Sequence, residues 1–331
     1  MWYLLACGAL VAPDPSSSPP ASSELPAERA APAWRELTGV ERWRPLPETS
    51  DEGLRFVDGA LYVSGIPSGA LWRLGEGEPI QVVPPGPRLI DTFEPGPDSV
   101  VVARRHGPRA EQTAITRWRG TASDELWTGD GAPRALVGTG DHLAWITSPE
   151  GTLRGWWTPN GPPEPLPADL GDDLLAWQAS DPPALWYVRS DQALVRHPVD
   201  QEPVVVDLPS PPRSLKASGA TVWFTAAGGL YQAVGAHAPV RRMDRGANTV
   251  EAVAEQTACW TAYAQSYGVF CWHHDELVWW RVPYDEGGQN LRGLVVHDGT
   301  VYAATPFDRV QRALGLEPVA EKGAVLQMQL P

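Results

Sequence analysis

The chain has 331 residues, of which 26 are Lys or Arg and 40 are Asp or Glu, so its formal net charge is −14. A nucleic-acid surface requires a basic stripe, and binding to anionic lipid requires clustered basic residues, so this charge disfavours both partners. An acidic surface favours a soluble monomer. After the first seven residues, no segment reaches the roughly 20 consecutive apolar residues of a membrane-spanning helix.

The chain opens with Met1-Trp2-Tyr3-Leu4-Leu5-Ala6-Cys7. The segment Leu4–Cys7 resembles the lipobox of bacterial lipoproteins. In that family the cysteine becomes the mature N-terminus and carries the acyl chains, so the resemblance implies that residues 1–7 are a signal and that Cys7 is lipidated. No basic residue precedes Cys7, although secretory signals usually begin with one.

Residues 8–36 follow as a predicted tether. Up to residue 33 they are mainly Ala, Pro, Ser and Glu without periodicity, a composition typical of a flexible, partly extended linker. A lipid-anchored domain needs such a spacer to stand away from the bilayer. The front end therefore predicts a protein of the bacterial cell envelope that faces the periplasm, with the outer membrane favoured over the inner.

Residues 37–331 repeat one phrase seven times: a turn, a β-rich run, a gap and a second β-rich run. The clearest copy is Thr221–Thr225, followed by Gly228-Gly229 and Leu230–Ala233, which has the composition of a β-hairpin. The first strong apolar residues of the leading runs are 37 to 43 residues apart, with a mean of 40, and they are Leu61, Val100, Leu143, Leu185, Val222, Cys259 and Val301. A period near 40 without helices is typical of propeller blades.

Turn residues divide each repeat into four short strands, A to D. In the fifth repeat these strands are predicted at 214–217, 222–225, 230–234 and 239–243. The prediction is an all-β fold, a seven-bladed β-propeller of four-stranded antiparallel blades.

The seventh repeat lacks a strand D, because the chain ends after Val325–Leu330. The stretch Val40–Pro47 resembles the other D strands. We expect it to pair outside the C-terminal strand, which would join both ends of the chain in one sheet and remove a frayed edge.

Two loops between strands B and C are unusual. The second repeat carries a local basic cluster at residues 104–109, and the seventh carries an insertion, 305–324, whose residues 307–314 have the spacing of a short amphipathic helix. Both repeats adjoin the first, so we predict one interaction face that prefers an acidic group; its residues are Arg104, Arg105, His106, Arg109, Phe307, Arg309 and Arg312. The alternative is solvated loops with a helix that plugs the ring.

The two remaining cysteines, Cys259 and Cys271, fall in strands B and C of the sixth repeat, at equal distances from the predicted turn. They should therefore lie opposite each other and form a disulfide, which is consistent with an oxidising compartment. The alternative is a pair of buried free thiols. His273-His274-Asp275 is the most metal-like cluster, but adjacent strand residues point to opposite faces, so the pattern favours turn residues over metal ligands.

No nucleophile elbow, phosphate loop or zinc-protease motif is present in the sequence. With strands such as LYVSG and VWFTA, the chain resembles exported seven-bladed propeller lipoproteins of bacteria. This resemblance implies a non-enzymatic binding or assembly scaffold, loosely like the propeller lipoprotein of the outer-membrane barrel-assembly machinery, without a cofactor and with an envelope protein or a small ligand as partner.

The alternative function is a propeller hydrolase or lyase, lactonase-like, which acts in the central channel. Such enzymes place histidines and carboxylates around a metal, whereas none of the seven histidines falls on a predicted strand A. A quinone-dependent dehydrogenase is disfavoured because its repeat pattern is missing.

Overall fold

The computed structural model describes residues 34–48, 53–106, 111–139, 142–148, 152–156, 164–165, 170–179, 182–208, 210–244, 246–263, 267–282, 291–305, 308–317 and 323–331. Cys7 and the predicted tether up to residue 33 lie outside the described residues. No helix in the described part of the chain is long and apolar enough to cross a membrane.

The described chain is almost entirely short strands, as its β-branched and aromatic runs between turn residues predict. In chain order the elements are β1 (Arg35–Leu37), β2 (Val40–Pro45), β3 (Leu54–Val57), β4 (Ala60–Ser64), β5 (Leu71–Leu74), β6 (Ile80–Val83), β7 (Ile90–Pro95), β8 (Val100–His106), β9 (Gln112–Arg119), β10 (Ala122–Asp130), β11 (Ala132–Thr139), β12 (His142–Ser148), β13 (Thr152–Trp156), β14 (Glu164–Pro165), β15 (Leu170–Gln178), β16 (Ala184–Arg189), β17 (Leu194–Pro198), β18 (Val204–Val206), β19 (Pro212–Ser218), β20 (Thr221–Ala226), β21 (Gly229–Val234), β22 (Val240–Met243), β23 (Ala252–Ala254), β24 (Thr257–Tyr263), β25 (Tyr267–His273), β26 (Glu276–Arg281), β27 (Arg292–His297), β28 (Thr300–Thr305), α1 (Asp308–Ala313) and β29 (Ala324–Gln329).

Within the described residues these strands form seven sheets, six with four strands and one with five. We number them along the chain: sheets 1 to 5 are β3–β6, β7–β10, β11–β14, β15–β18 and β19–β22, sheet 6 is β23–β26 with β1, and sheet 7 is β27–β29 with β2. The strands that follow each other within a sheet are antiparallel. The prediction of four strands in every one of seven blades is therefore met by six sheets and is wrong for sheet 6.

The first strand of each sheet lies innermost. These strands contact one another in order, and β27 of sheet 7 contacts β3 of sheet 1, so that they enclose a central channel. This arrangement is a β-propeller with four-stranded antiparallel blades. The turn between the first and second strands of a sheet, here the A–B turn, lies at one end of the channel, and the loop between the second and third strands, the B–C loop, lies at the other.

The N-terminal segment closes the ring as the sequence predicts. Strand β2 pairs antiparallel with β29, with Val40 opposite Met328, and supplies the outer strand that sheet 7 lacks. The preceding strand β1 was not predicted, and its residues were divided between the tether and the propeller. It pairs in parallel with the outer strand β26 of sheet 6, and Arg35 forms an ion pair with Glu276 at 2.7 Å.

The hydrophobic core is a set of clusters, each between two neighbouring sheets. The indole rings that are at most 1% exposed all lie in these clusters, and they are Trp145, Trp186, Trp223, Trp260 and Trp280. Large aromatic side chains bury the most apolar area per residue, so they stabilise flat sheet-on-sheet contacts well. Packing between sheets thus accounts for these five tryptophans.

One histidine lies on an inner strand. His297 is the last residue of β27, where it pairs with Thr300. Its ring stacks on Phe56 of the neighbouring inner strand with centroids 3.9 Å apart. The statement that no histidine falls on an innermost strand is therefore wrong, because β27 extends further than its apolar run indicates.

Candidate functional site

The inner strands enclose a cavity of about 450 Å³ in the central channel. Every sheet contributes lining residues, and Gly96, Pro97, Ala179 and Gly219, which lie at the ends of inner strands or in A–B turns, are among them. The cavity therefore occupies the half of the channel near the A–B turns, which is the end opposite the B–C loops. We call it the channel cavity.

One glycine permits the shape of this wall. Gly138 of β11 lines the channel cavity with a φ of +150°, and a Cβ atom placed there would lie 1.9 Å from the carbonyl oxygen of His142 on the paired strand. No side chain fits that space, so any larger residue would push the two strands apart. The close approach of these two strands thus depends on glycine.

Four charged side chains from four different sheets line the channel cavity: Arg55 of sheet 1, Glu94 of sheet 2, Lys216 of sheet 5 and Glu251 beside β23 of sheet 6. Most of the other lining residues are apolar or small. Ligand sites in proteins commonly combine an apolar lining with a few convergent polar groups. The channel cavity has this composition, so it is the candidate site.

Arg55 and Glu94 form an ion pair across the boundary of sheets 1 and 2. The Arg55 Nε atom lies 3.6 Å from Glu94 Oε2, and the two side chains are 34% and 21% exposed. Arg55 also donates to the carbonyl oxygen of Leu54 at 3.0 Å, and its guanidinium lies 5.8 Å from the ring centre of Phe93. These contacts hold the guanidinium at the wall of the channel.

Lys216 and Glu251 are held differently. Lys216 is exposed to the interior of the channel, and no carboxylate of the described residues forms an ion pair with it. The Oε1 atom of Glu251 accepts two hydrogen bonds from Thr261, from the backbone nitrogen at 3.0 Å and from the hydroxyl at 2.7 Å. Glu251 is therefore fixed to sheet 6, whereas the ammonium group of Lys216 is available to a ligand.

The surroundings shift the pKa values of two of these groups toward neutrality. Burial raises the pKa of Glu94 from 4.5 to about 7, although the positive charges of Arg55 and Lys216 act in the opposite direction. Burial also lowers the pKa of Lys216 from 10.5 to about 8, and Arg55 lowers it further, against the attraction of Glu94 and Glu251. Protein surrounds the channel on all sides, so both charged forms lose part of their hydration even where water reaches them.

Two arginines of the predicted interaction face at the B–C loops have partners within the protein. Arg104 donates through Nη2 to the carbonyl oxygens of Gly69, at 2.6 Å, and Pro84, at 3.2 Å, and thereby links sheet 2 to the loops of sheet 1. Burial lowers its pKa. Arg105 forms an ion pair with Asp91 at 2.8 Å, which raises the pKa of the arginine.

The remaining residues of that face are only partly described. Arg109 and Phe307, and the side chains of His106 and Arg309, lie outside the described residues, while Arg312 is exposed on α1. The short helix predicted in the insertion is present. The helix contacts β28 of sheet 7, and Val310 belongs to the hydrophobic cluster between sheets 6 and 7. The helix therefore lies against sheet 7, on the side that this sheet shares with sheet 6.

The disulfide between Cys259 and Cys271 is present, as the hairpin register predicts. The two residues are direct partners on β24 and β25, and their sulfur atoms lie 2.03 Å apart. His273, from the metal-like cluster, shares a hydrogen bond of 2.7 Å between its Nδ1 and the hydroxyl of Thr257. Among the described residues, no group of three His, Cys, Asp or Glu side chains is arranged to hold a metal ion.

Sequence reasoning did not find Arg55, Glu94, Lys216 or Glu251. A signal for Lys216 was available, because the predicted strand A of the fifth repeat already contained it, between the apolar Leu215 and Ala217. A charged residue inside the innermost strand is expected at the channel wall, since burial of a charge in the apolar clusters between sheets would cost free energy. The grouping of four charges from distant repeats, however, follows only from closure of the ring.

No protein-family model matches the chain, and no curated protein matches it in sequence. Solved structures match it in fold. A streptogramin B lyase has 13% identity and a TM-score of 0.54, with 87% of this chain and 97% of that one covered. YCF48 bound to a D1 peptide has 12% identity and a TM-score of 0.55, with 90% and 98% covered.

A third solved structure is PorZ, a bacterial surface component of the type-IX secretion system of Porphyromonas gingivalis. It has 12% identity and a TM-score of 0.55, and the match covers 88% of this chain but 38% of PorZ. Identities this low establish a shared β-propeller fold and no more, because one fold supports many functions.

Proposed function

We propose that this propeller is a non-enzymatic binding scaffold of the bacterial cell envelope that holds a small ligand in the channel cavity. The observation that carries the proposal is the convergence of Arg55, Glu94, Lys216 and Glu251 on one cavity of about 450 Å³ with an otherwise largely apolar lining. Cavities of roughly 300 to 1,000 Å³ are typical of small-molecule sites. This proposal puts the ligand site in the A–B-turn half of the channel, whereas the sequence analysis predicted an interaction face at the B–C loops.

The cell-envelope part of the proposal is supported by the N-terminal sequence and by the disulfide. Leu4–Cys7 resembles a lipobox, and residues 8–33 have the composition of a tether. Disulfides persist mainly in oxidising compartments, so the bond between Cys259 and Cys271 favours export. If Cys7 carries the anchor, labelling of cells with a fatty-acid analogue will mark the wild type and not Cys7→Ser, whereas equal labelling of both would refute this part.

A lyase or hydrolase that acts in the same cavity is the second candidate. The pKa values of about 7 for Glu94 and about 8 for Lys216 favour it, because groups that titrate near neutral pH suit general acid–base catalysis. A streptogramin B lyase is among the solved structures of this fold. The two candidates share a ligand site and differ in whether the bound molecule is changed.

The test uses two tryptophan substitutions at opposite ends of the propeller. Ala179 is exposed at the edge of the channel cavity, and Ala313 is exposed on α1 at the B–C-loop side. A thermal-shift screen of small metabolites with the full chain should find ligands that stabilise the wild type and Ala313→Trp but not Ala179→Trp. A screen without stabilising ligands, or ligands that stabilise Ala179→Trp equally well, would refute the channel site.

Recovery of the ligand then distinguishes scaffold from enzyme. A ligand recovered unchanged after long incubation, as shown by mass spectrometry, supports the scaffold. Chemical conversion of the ligand that requires Glu94 or Lys216 would instead favour the lyase or hydrolase over the scaffold.

A further inference from the structure

We propose that the ligand of the channel cavity is a small organic carboxylate with an apolar body, which replaces Glu94 as the counter-ion of Arg55 and also pairs with Lys216. This inference rests on the proposed function, since it names the ligand class for the same cavity. Three features of the cavity support it: the loose pairing of Arg55, the lack of an ion pair at Lys216 among the described residues, and the apolar side chains of the remaining wall.

The two acidic groups do not fully satisfy the two basic ones. Glu251 is committed to Thr261 through two hydrogen bonds at 3.0 and 2.7 Å. Glu94 lies 3.6 Å from Arg55, which is longer than the roughly 2.7 to 2.9 Å of a tight charge-assisted contact. Lys216 has no ion pair within the part of the chain that the structure describes. The cavity therefore presents one loosely paired and one unpaired cation to its interior.

A carboxylate fits this arrangement better than a cation or a neutral ligand. A cationic ligand would be repelled by Arg55 and Lys216. A neutral ligand would leave the ammonium of Lys216 without a partner inside a partly dry channel. The remaining wall includes Val57, Val137 and Val253, which offer contact to an apolar body. The cavity thus combines a cationic site for the acid group with apolar surface for the rest of the molecule.

The exchange of counter-ions couples ligand binding to a proton. The positive charges of Arg55 and Lys216 hold the pKa of Glu94 lower than burial alone would place it. A bound carboxylate takes over those charges and adds its own negative charge, so the pKa of Glu94 rises and this side chain takes up a proton. Affinity should fall as the pH rises from 6 to 9, since Glu94 becomes a competing anion and Lys216, whose pKa is about 8, loses its charge.

The charged groups that act on Glu94 come from the inner strands of sheets 1 and 5. Arg55 and Lys216 lower its pKa directly, and Glu251 acts on Lys216. At pH 8, one unit above a pKa of about 7, roughly a tenth of Glu94 is protonated, so the apparent affinity should be about tenfold weaker than for the protonated form. Glu94→Gln removes the competing anion. It should bind about tenfold tighter than the wild type at pH 8 and nearly equally at pH 6.

The test is calorimetric titration of the full chain with benzoate and hexanoate, and with the matched amides benzamide and hexanamide. Carboxylates should bind at least about tenfold more tightly than the amides, which corresponds to about 1.4 kcal/mol. Lys216→Met should abolish this preference, and Lys216→Arg should keep it. Arg105→Gln, at the opposite end of the propeller, is the matched control and should bind as the wild type does.

Proton uptake is read from titrations in two buffers with different ionisation enthalpies. Near pH 7, where Lys216 with its pKa of about 8 is still mostly charged, the wild type should take up a fraction of a proton per bound carboxylate, and Glu94→Gln should take up much less. Equal binding of the amides would overturn the carboxylate proposal and leave the channel site intact. Absence of binding by every probe, together with a metabolite screen that finds no channel ligand, would overturn the proposed function as well.

Discussion

The two ends of the propeller carry basic side chains of the same kind and use them differently. At the B–C-loop end, Arg104 donates to the carbonyl oxygens of Gly69 and Pro84, and Arg105 is paired with Asp91. In the channel cavity near the A–B turns, Lys216 faces open space without an ion pair among the described residues. A basic cluster in a sequence therefore indicates charge, but only the neighbouring acceptors decide whether that charge is available to a ligand.

The largest expected effect comes from the disulfide in sheet 6, which serves as a purely structural reference. The bond joins residues 12 positions apart, and a loop of that length should lose about 3 kcal/mol of stability when it is opened. Urea unfolding of the wild type with and without reductant measures this loss. Binding of carboxylates to the reduced but folded protein should be unchanged. A parallel loss of affinity would show that the channel cavity depends on the disulfide in sheet 6.

Arg104→Met should have the next largest effect. The substitution leaves the partly buried carbonyl oxygen of Gly69 without its donor, while water can replace the exposed bond to Pro84, so the free energy of unfolding should fall by about 2 kcal/mol. Urea unfolding measures the loss, and calorimetry should find normal carboxylate binding. If Arg104→Met instead keeps full stability and loses ligand binding, the ligand binds at the B–C-loop end and not in the channel cavity.

Glu94 should make the stability of the protein depend on pH. Its pKa is 4.5 in the unfolded chain and about 7 in the fold, so the folded form retains a proton that the unfolded form releases. Its stabilising contribution is complete below about pH 4.5 and is lost as the pH rises through about 7. The loss should be of the order of 2 kcal/mol, because each pKa unit corresponds to about 1.4 kcal/mol and water in the channel reduces the full value.

Urea unfolding between pH 5 and 8.5 checks this dependence. Glu94→Gln should flatten the profile and be more stable than the wild type at pH 8. Burial lowers the pKa values of His197 and His273, which makes stability rise with pH below about 6.5, so the difference between wild type and variant isolates Glu94. The same dependence on pH in both proteins would contradict the burial of Glu94 at the channel wall.

The smallest effect is expected for Arg105→Gln. Its side chain is 52% exposed, and pairs of this kind contribute less than about 1 kcal/mol. Thermal unfolding at low and high salt measures this pair, and the small difference between wild type and variant should shrink further at high salt. A loss of stability as large as that of Arg104→Met would mean that the Arg105–Asp91 ion pair stabilises the fold more than its solvent exposure indicates.

Much of the fold could be predicted because each repeat encodes its own strands. In sheet 5 the predicted 214–217 and 222–225 became Pro212–Ser218 and Thr221–Ala226, and the cysteine pair followed from simple hairpin register. Strand β1 could not be predicted, because three residues next to a Pro- and Ala-rich stretch carry no periodicity. Its pairing with β26 depends on closure of the ring.

The candidate site was less predictable for the same reason. Lys216 and Arg55 are 161 positions apart in sequence and meet only because the inner strands form a ring. The structural role of Arg104 depends on carbonyl oxygens 35 and 20 residues away, which no local pattern reveals. Local composition thus predicts strands well, and it predicts the availability of charged groups poorly.

A crystal structure of the protein grown with benzoate at several times its dissociation constant would test the central claim most directly. We expect the carboxylate within about 3 Å of the Lys216 ammonium group and close to the Arg55 guanidinium, with Glu94 turned away from both. Benzoate bound at Arg104 or Arg105 while the channel cavity remains without it would contradict the account.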